Sequence, residues 1–373
     1  MIKKCIYSLF LIFTVFTMVA CKKQGLVGFD ALNPNAQGLV DSNRFIKLYE
    51  RNYKGYALFR IPALVKSKKG TLLAFAEGRM CGTCGDGGDI NLVVKRSTDG
   101  GKTWGDMIVI WDDAGNTCGN PVPIVDNETG VIHLLMSWNN TRAFVTSSAD
   151  DGLTWATPAE ITNTVKGVGW SWYGTGPVHG IQVSEGVNKG RLLAPTYASV
   201  NVNGVVKSYS FSVYSDDHGK TWNKGALTKQ GDVGECAVAE TNNGLLLNMR
   251  SAAVNARVLA TSTDGGINWS DVVIKPELTD PKCQASMISF KQNNSWTLLQ
   301  SNAASQTRTN MTIKMSADDG ETWPKSYNVF YGASAYSDMA LLDDENVGLI
   351  FENGDKSPYD RIYFKRIPLK NIQ

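Results

Sequence analysis

Five octets of one pattern, S-x-D-x-G-x-[T or N]-W, recur at 97–104, 148–155, 215–222, 262–269 and 316–323. Their Ser-to-Ser intervals are 51, 67, 47 and 54 residues, the size of a propeller blade of four short strands rather than of a helix pair. Around them lie short runs rich in Leu, Val, Ile and Phe at 71–76, 91–95, 132–136, 245–249 and 347–351, bounded by Gly, Asn or Asp, as strands are. Helical stripes with a 3.6-residue period are nearly absent. The span 45–366, about 320 residues, divided by roughly 54 per unit predicts an all-β chain folded as a six-bladed β-propeller.

The octet has a structural logic of its own. Asp and Gly set a hairpin turn, Ser and Thr hydroxyls tie the turn's backbone, and Trp packs beneath the strands. Five equivalent copies on a radial fold cannot all face one site, so the octet aspartates are expected to staple the fold rather than to catalyse or bind calcium.

With 37 basic against 35 acidic residues and a net charge of +2, the chain carries no long run of either sign. That argues against a nucleic-acid groove or a polybasic membrane patch, and an anionic ligand would need a local arginine cluster.

Residues 1–20 read as an export signal: Lys3 and Lys4 lead an uncharged apolar run, and Val19-Ala20-Cys21 places small residues before a cysteine. The arrangement resembles a bacterial lipoprotein signal, with Cys21 as the lipidated mature N-terminus; ordinary signal cleavage is the alternative. Residues 21–42, rich in Gly, Asn and Gln, then form a tether, leaving 43–373 as the propeller. The protein is expected to be exported and anchored to a membrane, periplasmic or at the cell surface, only through that N-terminal lipid.

Five cysteines remain beyond Cys21: Cys81, Cys84, Cys118, Cys236 and Cys283. At most two disulfides can form. Cys81 and Cys84 make a lone C-x-x-C, and His133, His179 and His218 are scattered, so no metal site is expected.

A ligand pocket on a propeller forms where the blades converge, which favours charged residues at strand ends outside the octets. Arg60, Arg250 and Arg308 fit that description. Together with the octets, the motifs Phe59-Arg60-Ile61-Pro62, Ala76-Glu77-Gly78-Arg79, Glu235-Cys236-Ala237-Val238-Ala239-Glu240, Leu247-Asn248-Met249-Arg250 and Ser334-Ala335-Tyr336-Ser337-Asp338 resemble the sialidase (neuraminidase) family in order and spacing. The resemblance spans essentially the whole mature chain.

It implies a retaining exo-α-sialidase that removes terminal sialic acids from sialylated glycans without a cofactor. Arg60, Arg250 and Arg308 would grip the substrate carboxylate, for which a guanidinium fork is suited and permanently charged. Glu352 would orient Arg60, and Arg79 would be a further pocket arginine. Tyr336 falls on the family's nucleophile; a neutral phenol can approach an anomeric carbon whose own carboxylate would repel Asp or Glu. Glu235 would take the phenolic proton. Asp86, with Asp89 as competitor, would be the acid/base; Cys81 and Cys84 in its loop would either form a disulfide that stiffens it or stay reduced and inert. Trp170, Trp172 and Tyr173 would line the pocket for the sugar's acyl and glycerol arms. Ala303 stands where the family often has proline, and Asn91 where it often has aspartate; neither removes a catalytic group. A trans-sialidase would keep the same groups, whereas a non-catalytic sialic-acid-binding propeller would lack Tyr336, Glu235 or Asp86.

Overall fold

The computed structural model describes residues 44–373. The export signal, Cys21 and the whole tether lie outside the described residues. From residue 44 onward the chain is antiparallel sheet, with one four-residue helix, Thr162–Val165, and a 3-10 turn, Leu369–Asn371.

Four sheets are of blade size. The first runs Leu58–Lys66, Leu72–Arg79, Ile90–Ser97, Ile108–Trp111, and the second Cys118–Val125, Ile132–Trp138, Arg142–Ser148, Ala159–Glu160. The third orders Trp172–Thr175, Leu192–Val202, Val205–Ser215 and Asn223–Lys224, with Ile181–Gln182 also on Leu192–Val202; the fourth orders Val233–Thr241, Gly244–Ser251, Ala256–Ser262 and Val273–Thr279. The remaining strands form one seven-stranded sheet: Ser286–Gln292, Ser295–Ala303, Thr309–Ser316, Lys325–Asp343, Asn346–Gly354, Arg361–Pro368 and Ile46–Glu50.

The arrangement is propeller-like, but the hydrogen bonding gives four separate blades and not the six expected. The cause is Lys325–Asp343, a 19-residue strand. Its first half pairs with Thr309–Ser316 and its second half with Asn346–Gly354, so no break separates the two ladders. The first described strand, Ile46–Glu50, pairs with the last, Arg361–Pro368.

Sheets pack face to face through apolar clusters. Val65, Phe75 and Val94 of the first sheet meet Leu134 and Met136 of the second, and Val122, Ile124 and Leu135 of the second meet Leu192, Ala194 and Phe211 of the third. Each of these Val, Leu, Ile, Phe and Met side chains withdrawn from water contributes about 1.5–3 kcal/mol.

Every octet follows the third strand of its ladder, and it works as expected. In each, the Ser hydroxyl accepts the glycine N–H four residues on, at 2.8–3.0 Å, and the Asp carboxylate accepts from the Thr or Asn backbone. The tryptophans then reach the preceding sheet: Trp155 meets Phe75, Trp222 meets His133, and Trp104 meets Phe364. Gly219 shows why the fifth position is glycine, since its φ is +80° and a Cβ would lie 2.2 Å from the His133 ring.

Candidate active site

Four strands carry an irregularity of register. The ladder slips between Arg60 and Ala63, between Gly119 and Val122, between Val233 and Cys236, and between Ser334 and Ser337. A bulge breaks the in–out alternation and re-aims a side chain, and these four supply Arg60, Asn120, Glu235 and Tyr336. Ile61 holds φ at +59° in the first of them, a costly conformation for a β-branched residue. Its N–H donates to Glu352 Oε1 at 2.8 Å.

Residues far apart in sequence converge there. The Tyr336 hydroxyl donates to Glu235 Oε1, while Arg250 donates to Glu235 Oε2 at 2.7 Å and approaches the phenol oxygen at 3.3 Å. Arg60 donates through Nε to the fully buried Glu352 at 2.6 Å, and Glu352 also accepts the Tyr336 N–H at 3.1 Å. Arg308 stands with its guanidinium carbon 5.5 Å from the centre of the Tyr336 ring, and Arg60 at 5.2 Å. Thus Arg60, Arg250, Arg308, Glu235, Glu352 and Tyr336 share one centre.

Burial, followed by the nearby Glu235 carboxylate, pushes the Tyr336 phenol well above its ordinary pKa, against the pull of Arg250 and Arg60. Burial lowers Arg60, but Glu352 together with Tyr336 and Tyr359 more than offsets it and holds that guanidinium above its ordinary value; Glu235 with Tyr336 and Cys283 does the same for Arg250. The site therefore presents fixed positive charge around a neutral phenol whose proton already points at a carboxylate.

Asp86 sits on a loop at the rim. Arg79 Nη2 donates to its carboxylate at 3.0 Å, Asn140 donates to its carbonyl at 2.7 Å, and its side chain is 67% exposed. Arg79 is itself held by Glu77 through Nε at 3.0 Å and Nη2 at 2.6 Å. Cys81 and Cys84 are joined as a disulfide inside this loop. Asp86, Glu77, Asn120, Asn140, Trp172, Tyr197, Glu235 and Tyr336 line one cleft; Asp89 does not face it.

The three pocket aromatics separate. Trp172 lines the cleft, but Tyr173 is completely buried among Val122, Leu135 and Phe211, and Trp170 leans edge-on against Phe211 at 5.2 Å. Trp172 and Tyr173 are adjacent in Trp172–Thr175, so their side chains take opposite faces of the sheet. That alternation was available from the sequence. Glu77, Asn120, Asn140, Tyr197 and Tyr359 were not singled out there. Glu77 lay inside a recognised motif, whereas Tyr359 carried no signal in a loop of ordinary composition. It accepts from Arg308 Nη1 at 2.7 Å, and its ring lies 4.0 Å from the Arg60 guanidinium carbon.

Comparison with known proteins agrees with this geometry. Residues 70–349 match the family of BNR repeat-like domains. A sialidase of Micromonospora viridifaciens is 36% identical over 81% of this chain and 50% of its own length. An exo-alpha-sialidase of Arthroderma benhamiae is 30% identical over 80% of this chain and 79% of its own. Among solved structures, the Hadza microbial sialidase Hz136 superposes with a TM-score of 0.80 at 29% identity, covering 88% of this chain and 69% of that one. The chain spans half the length of the Micromonospora relative.

Proposed function

The chain belongs to the sialidase family, and from that premise we propose that it is a retaining exo-α-sialidase acting on terminal α-linked sialic acids of glycoproteins, glycolipids and oligosaccharides. The observation that carries the reading is the Tyr336–Glu235–Arg250 constellation. A lectin needs arginines for the carboxylate; it does not need a buried phenol aimed at a carboxylate.

In the proposed sequence, Arg60, Arg250 and Arg308 receive the sugar's carboxylate. The phenol oxygen of Tyr336 attacks the anomeric carbon while Glu235 takes its proton, because a phenol with a raised pKa cannot ionise unaided. The glycosidic bond breaks as Asp86 protonates the departing oxygen. Water then attacks the same carbon, giving a proton to the Asp86 carboxylate; the bond to Tyr336 breaks and Glu235 returns its proton. Two inversions yield net retention, and sialidases are the tyrosine exception to the two-carboxylate pattern of glycosidases. The pocket is completed by Arg79 and Trp172.

The same reading treats the seven-stranded sheet as two blades joined through Lys325–Asp343, for six in all. It also keeps lipid attachment at Cys21 and an exported location, which rest on residues 1–21 alone; mass spectrometry of the mature N-terminus tests them.

The test of the activity is fluorophore release from an aryl α-sialoside by the protein lacking residues 1–21, with NMR of the first-formed anomer. Release of the α-anomer supports a retaining hydrolase. A transferred or anhydro product would mean a trans-sialidase, and binding of sialic acid with no turnover would leave only a sugar-binding propeller.

A further inference from the structure

Tyr359 stands in the loop between Asn346–Gly354 and Arg361–Pro368. Asp360 braces that loop by accepting the N–H of Lys356 at 3.5 Å and of Ser357 at 3.3 Å. The loop is tight at its start, where a Cβ on Gly354 would fall 1.9 Å from the Ser357 carbonyl oxygen. From this support Tyr359 contacts two arginines that come from different sheets. Its ring faces the Arg60 guanidinium at 4.0 Å, and its hydroxyl accepts from Arg308 Nη1 at 2.7 Å.

The Arg60 guanidinium carbon thereby lies over two rings, 5.2 Å from the centre of Tyr336 and 4.0 Å from that of Tyr359, while Glu352 accepts from its Nε. Stacking uses the faces of a guanidinium and leaves its in-plane N–H directions for a carboxylate. Arg308 has no such carboxylate partner among the described residues, so the Tyr359 hydroxyl sets the rotation of its fork. Arg250 is different: Glu235 fixes it. One tyrosine therefore orients the two arginines nearest it.

We propose that Tyr359 is a positioning residue, which presets the Arg60 and Arg308 forks for a carboxylate-bearing sugar and so governs how tightly that sugar is bound. The proposal rests on the sialidase reading. Its contribution is made equally before and during bond breaking, so it belongs to binding and not to the chemical step. The hydroxyl bonds Arg308 alone, whereas the ring lies 4.0 Å from the Arg60 guanidinium carbon and 5.8 Å from that of Arg308, so removing the hydroxyl and then the ring has graded effects.

The experiment compares wild type, Tyr359→Phe and Tyr359→Ala by steady-state kinetics on an aryl α-sialoside. It adds competitive inhibition by a 2,3-dehydro analogue of the sugar, as free acid and as methyl ester. The expected result is a KM raised about tenfold in Tyr359→Phe and about a hundredfold in Tyr359→Ala, with kcat within about threefold of wild type. Affinity for the free acid falls in parallel while that for the ester changes less than about twofold, because only the acid uses the charged forks. A KM unchanged in both variants, equal weakening of acid and ester, or a fall in kcat alone would overturn the proposal while leaving the sialidase reading intact. A wild type that neither turns over the sialoside nor binds the acid would overturn both.

Discussion

The hydroxyl of Tyr336 rests on Oε1 of Glu235, a residue 101 positions earlier in the chain. Neither residue is remarkable in its own strand. Their meeting depends on bulges that turn both side chains toward the same centre, and under the proposed function it gives the phenol a base in place. Replacing Tyr336 by Phe should lower kcat at least about a hundredfold, and Glu235→Gln should cost about 10²–10⁴ in kcat with the fold intact by circular dichroism. Activity within tenfold of wild type in Tyr336→Phe would remove the phenol from the mechanism.

Asp86 is largely exposed and held at the rim by Arg79. An acid there matters in proportion to how badly the leaving oxygen needs a proton. Asp86→Ala should therefore reduce kcat/KM for a sialyl-lactose at least about tenfold more than for an activated aryl sialoside. Equal losses on both substrates would assign the residue to binding.

Glu352 is completely buried and accepts from Arg60, Ile61 and Tyr336 together. Its removal leaves a guanidinium uncompensated in the interior, which costs about 3–5 kcal/mol. Glu352→Ala should lower the melting temperature and raise KM, because Arg60 loses its in-plane anchor. A melting curve superimposable on wild type would show that Arg60 finds another partner.

Asp150 and Asp217, both in octets, have pKa values depressed to about 2. For Asp150 the largest cause is the Thr154 hydroxyl, and for Asp217 the backbone N–H of Thr221. A carboxyl whose folded pKa lies below its unfolded value contributes its full stability above about pH 4 and loses it as pH falls toward 2. The melting temperature should thus drop between pH 5 and pH 2, and the drop should shrink in Asp150→Asn/Asp217→Asn. An identical drop in that variant would place the acid sensitivity elsewhere.

The octets were legible in the sequence because their chemistry is local: Ser97 reaches only as far as Gly101, and Asp99 as far as Thr103. Motifs at Arg60, Arg79, Glu235, Arg250 and Tyr336 were legible through resemblance, and the structure gathers Arg60, Glu235, Arg250 and Tyr336 around one centre with Arg79 beside it on Asp86. The aromatic segment does not line the pocket as a unit, since strand alternation sends Tyr173 into the core while Trp172 faces the cleft.

What the sequence by itself determined is the repeating turn, the β content and the residue types available for chemistry. Their positions relative to one another were decided only by tertiary structure. The fusion of two ladders through Lys325–Asp343 depends on a strand that the sequence gives no reason to end. The aim of Glu235 and Tyr336 depends on bulges, and the partnership of Tyr359 with Arg60 and Arg308 on closure of the sheets around a common centre. Hydrogen bonds within a turn are set by neighbours a few residues apart; a site assembled from strand ends is set by packing between sheets, which acts between residues hundreds of positions apart.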